Sequence, residues 1–163
     1  MRTVRSLRPV TDRPITSSRG RESEGATSPR RIELKVDSHP ANLAPVRKAI
    51  ETFASDSGFD EKSVAEIGLV VNEAMANVIR HAYANQTDKP ILVTASSDDR
   101  QITITLRDWG NGVDPSTLPH RAHDPNTPGG VGLICLRQWM DQVTYAPQPD
   151  RGILTTLIRR KRI

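Results

Sequence analysis

Three clusters in this 163-residue sequence combine side-chain types and spacings that could do chemistry. The first is Glu73, Asn77 and His81, at i, i+4 and i+8, which puts them on one face of a helix. Ala74, Ala76 and Ala82 leave space above that face. An amide oxygen can ligate a hard cation, and a carboxylate one turn away can take a proton or orient a nucleophile. Taken alone, the triple also suits a plain solvated helix face. A zinc site on Glu73 and His81 lacks a second histidine at metal spacing.

The second cluster is Arg107-Asp108-Trp109-Gly110-Asn111-Gly112, directly after a strand-like run. Its two glycines let the backbone turn sharply and approach a flat ligand. Asp108, at the end of the strand, is placed to accept a hydrogen bond from an exocyclic amine such as adenine's. In isolation the segment also fits an ordinary turn. The third cluster is Pro128-Gly129-Gly130-Val131-Gly132-Leu133, leading into a helical pattern. Glycines here free backbone N–H groups at a helix N-terminus, where phosphate is favoured. No Lys-Ser/Thr follows, so this is not a P-loop, and the glycine spacing is not that of a dinucleotide fingerprint.

These clusters need elements to hold them. Ile32, Leu34 and Val36 alternate with polar residues as in a strand. A helix opening near Ser38 or His39-Pro40 carries Leu43, Val46, Ile50 and Phe53 and closes near Gly58. A longer helix is expected over 60–83, with Val64, Ile67, Val71, Met75, Val78 and Ile79 as its apolar stripe. Runs 91–96 and 101–107 flank a polar turn and read as a hairpin. A loop over 108–128, a helix over 129–141 and strands over 143–146 and 153–159 complete the order βαα-ββ-α-ββ. Strands that mostly neighbour one another predict an α+β fold, with helices layered on one face of a largely antiparallel, mixed sheet.

Bulk composition narrows the function classes. Only 4 % of residues are aromatic against 36 % hydrophobic, so aliphatic side chains must fill the core. No apolar run approaches the ~20 residues of a membrane-spanning helix. The single cysteine, Cys135, has no partner for a disulfide or a thiolate metal site and is expected to pack inside the last helix. Cysteine usage and the lack of an apolar leader fit a cytoplasmic setting. The formal charge of +4 divides unevenly: residues 1–31 hold eight arginines against Asp12, Glu22 and Glu24. The remaining 132 residues are close to neutral, with 15 basic and 16 acidic side chains. Basicity confined to a tail argues against direct nucleic-acid binding by the folded part. Residues 1–30 are read as a disordered basic tail and 31–163 as one domain.

The three clusters in this order (E-x-x-x-N, then D-x-G-x-G, then G-G-x-G-L) resemble the GHKL ATPases of the Bergerat fold. The phrases Glu73-Ala-Met-Ala-Asn77-Val-Ile-Arg-His81-Ala-Tyr83 and Arg107-Asp108-Trp-Gly110-Asn-Gly112-Val-Asp114-Pro115 are similar to the branch of anti-sigma factor serine/threonine kinases. So is Gly130-Val-Gly132-Leu-Ile-Cys-Leu-Arg137-Gln-Trp-Met140-Asp141, and the resemblance spans about 32–160. It implies a Bergerat-type α/β sandwich that binds ATP and Mg²⁺. Asn77 would hold the metal, Glu73 would act as general base and Asp108 would bind adenine. Gly110 and Gly112 would shape the pocket, Gly130 and Gly132 would cradle phosphate, and 113–128 would form a lid. His81 is not offered as a phosphoacceptor.

The resemblance further implies phosphorylation of a STAS-domain antagonist, sequestration of a sigma factor, and a homodimer packed through the first strand and helix, where Arg47 reads as a plain solvated arginine ahead of a partner-surface mark. The alternatives are a non-catalytic, nucleotide-gated partner-binding module, and a switch kinase in a signalling complex without a sigma factor. The sequence departs from the family on the late strand. There Gly152 is followed by Ile153 and Leu154, with Thr155 and Thr156 only later.

Overall fold

A computed structural model describes residues 29–111 and 132–162, with side chains in the last helix described from residue 136 onward. The expected tail over 1–30 lies outside the described residues except for its last two. So do the lid over 113–128, Gly112, Gly130 and the side chain of Cys135.

Strand β1 (Arg30–Asp37) leads through a 3-10 turn at Pro40–Asn42 into α1 (Leu43–Asp56). The turn is capped by His39, whose side chain accepts from Ala41 N at 3.0 Å. Helix α1 buries Val46, Ile50, Phe53 and Ala54 at helical spacing, and the chain reverses at Gly58, where φ is +87°. Asp60 then caps α2 (Glu61–Asn77), accepting from Ser63 N at 2.9 Å and from Ser63 Oγ at 2.8 Å. The two helices lie close together. A Cβ at Gly68 of α2 would stand 2.2 Å from Glu51 Oε1 of α1. Arg47 donates from Nε to that same oxygen at 2.7 Å, so its guanidinium is already engaged by a neighbour one turn along.

The long helix expected over 60–83 does not stay α-helical. After Asn77 it widens into a π-helical turn over Val78–Ala82, in which Tyr83 N donates to Val78 O at 3.1 Å. Such turns interrupt the 3.6-residue spacing and rotate the side chains that follow.

Strands β2 (Pro90–Ser97) and β3 (Gln101–Asp108) form the expected hairpin. Helix α3 (Gly132–Trp139) and strands β4 (Gln142–Pro147) and β5 (Ile153–Arg160) follow. The sheet order is β1-β2-β3-β5-β4, and every described pairing is antiparallel. Alternate residues face the helices and are buried: Ile91, Val93 and Ala95 on β2, Ile102, Ile104 and Leu106 on β3, Leu157 on β5. They close the core against Ile50, Ile67, Val70, Val71 and Met75. The intervening residues are half-buried, including Thr94 and Thr105, whose hydroxyls meet at 2.6 Å across the hairpin. All described helices therefore stack on one face, as expected of this α+β class. Buried Arg159 of β5 joins the layers, donating to Glu66 Oε2 of α2 at 2.7 Å and to the carbonyl of Trp139 at the end of α3.

Candidate functional site

The buried face of β3 runs Ile102, Ile104, Leu106, and the next residue on that face is Asp108. A carboxylate thus occupies a position where the alternation would place an aliphatic group, and it is only 2 % exposed. Burial pushes its pKa above the ordinary carboxylate value, partly offset by hydrogen bonds from the backbone of Gly110 and Ile153. The Gly110 N–H donates to Oδ1 at 2.9 Å.

Asp108 stands in a cleft between the helices and the end of the sheet. Helix α2 and the π-turn contribute Ala74, Asn77, Val78, His81 and Ala82 to its lining, and α3 contributes Leu136. Tyr145 comes from β4, and Ile153 and Thr155 from β5. Apolar side chains around the buried carboxylate, with Thr155 also buried in the wall, suit a flat, partly polar ring.

The loop after Asp108 is fixed from two sides. The Trp109 N–H donates to Tyr83 Oη at 2.8 Å, and Asn111 N–H to Ala82 O at 3.2 Å, both at the end of the π-turn. A Cβ at Gly110 would come within 2.3 Å of Ala82 O, so the loop reaches this contact only because residue 110 is glycine. On the other side, Arg107 donates to Asp150 Oδ1 at 2.7 Å and to Arg151 O at 2.8 Å. Its guanidinium also lies 4.5 Å from the Trp109 ring centre. The turn between β4 and β5 is thereby strapped to the Asp108 loop. At Gly152, φ is +78° and a Cβ would stand 2.0 Å from Asp108 O.

The structure brings Asn77 and Asp108 into one cleft and puts Gly110 against its rim. Gly132 begins α3, as the glycine-rich opening predicted. Glu73 is not in the cleft lining. Its Oε2 is buried and has no hydrogen-bond partner among the described residues; Arg80 Nη2 is 3.8 Å away. That same Nη2 donates to Asn77 Oδ1 at 3.1 Å.

Two contributions were not drawn from the sequence. Arg80 lies outside the i, i+4, i+8 series of Glu73, Asn77 and His81, so that spacing does not point to it. Thr155 stands two residues beyond the position next to Gly152 where the family's threonine is expected. Strand alternation supplies the signal for the latter: Ile153 and Thr155 share a face, and both are buried in the cleft.

A family model described as the histidine kinase-like ATPase domain matches residues 36–158, which takes in every described element of this site. The chain belongs to this family. Relatives of the histidine kinase-like ATPase domain include an anti-sigma F factor from Oceanobacillus iheyensis, 30 % identical over 125 residues, covering 74 % of this chain and 86 % of the relative. An anti-sigma F factor from Pasteuria penetrans is 27 % identical, covering 80 % of this chain and 90 % of that protein. The serine-protein kinase RsbW of Bacillus velezensis is 26 % identical, covering 82 % and 88 %. Among solved structures, that of the RsbU and RsbW domains of Rv1364c from Mycobacterium tuberculosis matches with a TM-score of 0.60 at 19 % identity. The match covers 82 % of this chain and 33 % of that longer one, and it supports the shared fold.

The amide of Asn77 is of the oxygen-donor type that suits a hard cation such as magnesium. Asn77 lines the cleft, its Oδ1 accepting from Arg80, and the buried Glu73 Oε2 lies one turn away. Among the described residues, no group of three or more His, Cys, Asp and Glu side chains could hold a metal alone, so nucleotide phosphates would have to complete the shell. None of the described helices is long and apolar enough to cross a membrane.

Proposed function

We propose that the chain is an ATP-dependent serine/threonine protein kinase of the anti-sigma factor type, acting through a domain over 31–163. The observation that carries this reading is the buried Asp108 carboxylate facing a cleft that Asn77 also lines. Asp108 accepts a hydrogen bond from the exocyclic amine of adenine, with Thr155 beside it on the same wall. Asn77 would hold Mg²⁺, which when bound supplies positive charge to the phosphates. Gly132, with Gly112 and Gly130 outside the described residues, would complete the phosphate and ring contacts.

The γ-phosphoryl group passes from ATP to a serine or threonine hydroxyl oxygen of a partner protein, and ADP leaves. Glu73 takes the hydroxyl proton. The phosphoacceptor proposed is a STAS-domain antagonist. The names of the relatives favour a sigma factor as a second partner and RsbW-type kinase activity. A homodimer is proposed with them, but Arg47 is not assigned to its interface because Glu51 already engages it.

The deciding experiment is Mg²⁺-dependent binding of a labelled ATP analogue to wild type, Asn77→Ala and Asp108→Ala. Loss of affinity in both variants supports the site; a folded wild type that binds nothing refutes it.

One observation favours a second reading. Glu73 lies off the cleft lining and beside Arg80, as it would in a nucleotide-gated module whose output is partner capture. Sigma-factor capture by both wild type and Glu73→Ala, with no phosphotransfer by wild type, would remove the base assignment and leave capture as the output.

A further inference from the structure

Arg80 makes three contacts on one helical surface. Its Nε donates to Ala76 O at 3.3 Å and its Nη2 to Asn77 Oδ1 at 3.1 Å, and that Nη2 is also 3.8 Å from Glu73 Oε2. The guanidinium therefore spans the two residues assigned above as metal ligand and base. It is the only charged group paired with Glu73 among the described residues. Arg80 stands four residues after Ala76, three after Asn77 and seven after Glu73, spacings that keep all of them on one helical face.

We infer that Arg80 is an internal placeholder cation: it holds Asn77 and Glu73 in the nucleotide-free protein and gives up Asn77 Oδ1 when magnesium-bound ATP arrives. This rests on the reading of Asn77 as a metal ligand. A dication and a guanidinium directed at one amide oxygen repel each other in a half-buried site, where water screens them incompletely. A metal held by Asn77 would displace the arginine from Oδ1, and with it the positive charge beside Glu73. The carboxylate is left without its charged partner only when nucleotide is in place. Before that, the arginine neutralises a buried oxygen that has no hydrogen bond. Arg80 is a positioning residue in this scheme, since it acts through Asn77 and Glu73.

The test measures binding rather than turnover. A fluorescent ATP analogue is titrated against Mg²⁺ for wild type, Arg80→Met and Arg80→Lys, and melting temperatures are taken with and without saturating Mg²⁺ and ATP. Removing a charge-assisted contact that exists only in the free state should lower the Mg²⁺ concentration for half-maximal binding at least threefold in Arg80→Met. Arg80→Lys, which keeps the charge but loses the fork, should fall between the two. Arg80→Met should melt below wild type without nucleotide, and the gap should close at saturation. An unchanged or raised Mg²⁺ requirement, or a melting gap that persists at saturation, overturns the inference. Wild type that shows no Mg²⁺-dependent binding would instead defeat the ATP reading and the placeholder with it. Should Arg80→Met not fold, the Arg80→Lys shift alone decides by its direction.

Discussion

The phenol oxygen of Tyr83 accepts the backbone N–H of Trp109 at 2.8 Å, tying the end of the π-turn to the loop that follows Asp108. The same hydroxyl donates to Pro90 O at 2.5 Å, at the start of the neighbouring strand. Burial raises the pKa of this phenol, so it stays a donor at neutral pH. One side chain therefore ties the end of the Asn77 helix to the Asp108 loop and to the neighbouring strand.

Tyr83→Phe should separate these roles with little change in volume. It leaves the part-buried Trp109 N–H and the carbonyl of exposed Pro90 without this partner, which costs about 1 kcal/mol. Urea unfolding should show a lower midpoint at unchanged slope. ATP affinity should fall in parallel, because the Trp109–Gly110 backbone loses its anchor. Wild-type affinity in the folded variant would mean that the loop is held by its other contacts alone.

Asp108→Asn should stabilise the nucleotide-free protein while weakening ATP binding tenfold or more. The raised pKa means that the folded state holds the Asp108 proton more tightly than the unfolded chain does. In the window between the ordinary value of 3.8 and the raised one, the folded form binds more protons. Stability from this group therefore falls as pH rises through that window, and the deficit persists at neutral pH. The variant abolishes that slope, so melting curves of wild type and Asp108→Asn should converge toward acid and diverge toward neutrality. Parallel curves at all pH values would show that Asp108 does not titrate anomalously.

Glu73→Gln preserves shape and removes the base. Single-turnover phosphotransfer to an acceptor protein should drop by a factor of about 10² or more, while affinity for the ATP analogue stays within about threefold. A proportionate loss of both would assign Glu73 to binding.

Two glycines with positive φ should respond differently to alanine. At Gly58, φ is +87° and nothing lies within 4 Å of the added Cβ, so Gly58→Ala costs about 1 kcal/mol of backbone strain. At Gly152 the same strain is joined by a Cβ 2.0 Å from Asp108 O, against backbone that cannot yield cheaply. Gly152→Ala should cost about 2–4 kcal/mol and displace Asp108. Denaturation then ranks the two, and only Gly152→Ala should lose ATP affinity.

The element order was legible in the sequence because its signals are local. Alternation at 91–96 and 101–107, and helical spacing from Leu43 to Phe53 and from Val64 to Met75, depend on neighbours within two turns. The helix expected to run to Tyr83 failed at Asn77 for the opposite reason. The π-turn over Val78–Ala82 exposes its last backbone groups to Asn111 and its tyrosine to Trp109, partners that local pattern cannot reveal.

The sequence by itself determined the residue types that this chain can bring to a nucleotide: an amide and an acid on one helix, an aspartate closing an aliphatic strand, and glycines where backbone must approach closely. Side-chain chemistry and short-range spacing suffice for that. Only the tertiary structure decided which of them meet. It turned Thr155 into the cleft by strand alternation, left Glu73 outside the lining, placed Arg80 between Glu73 and Asn77, and joined Arg159 to Glu66 across 93 residues of chain. Those contacts follow from sheet register, helix packing and one widened helical turn, and each of these is set by the folded core as a whole.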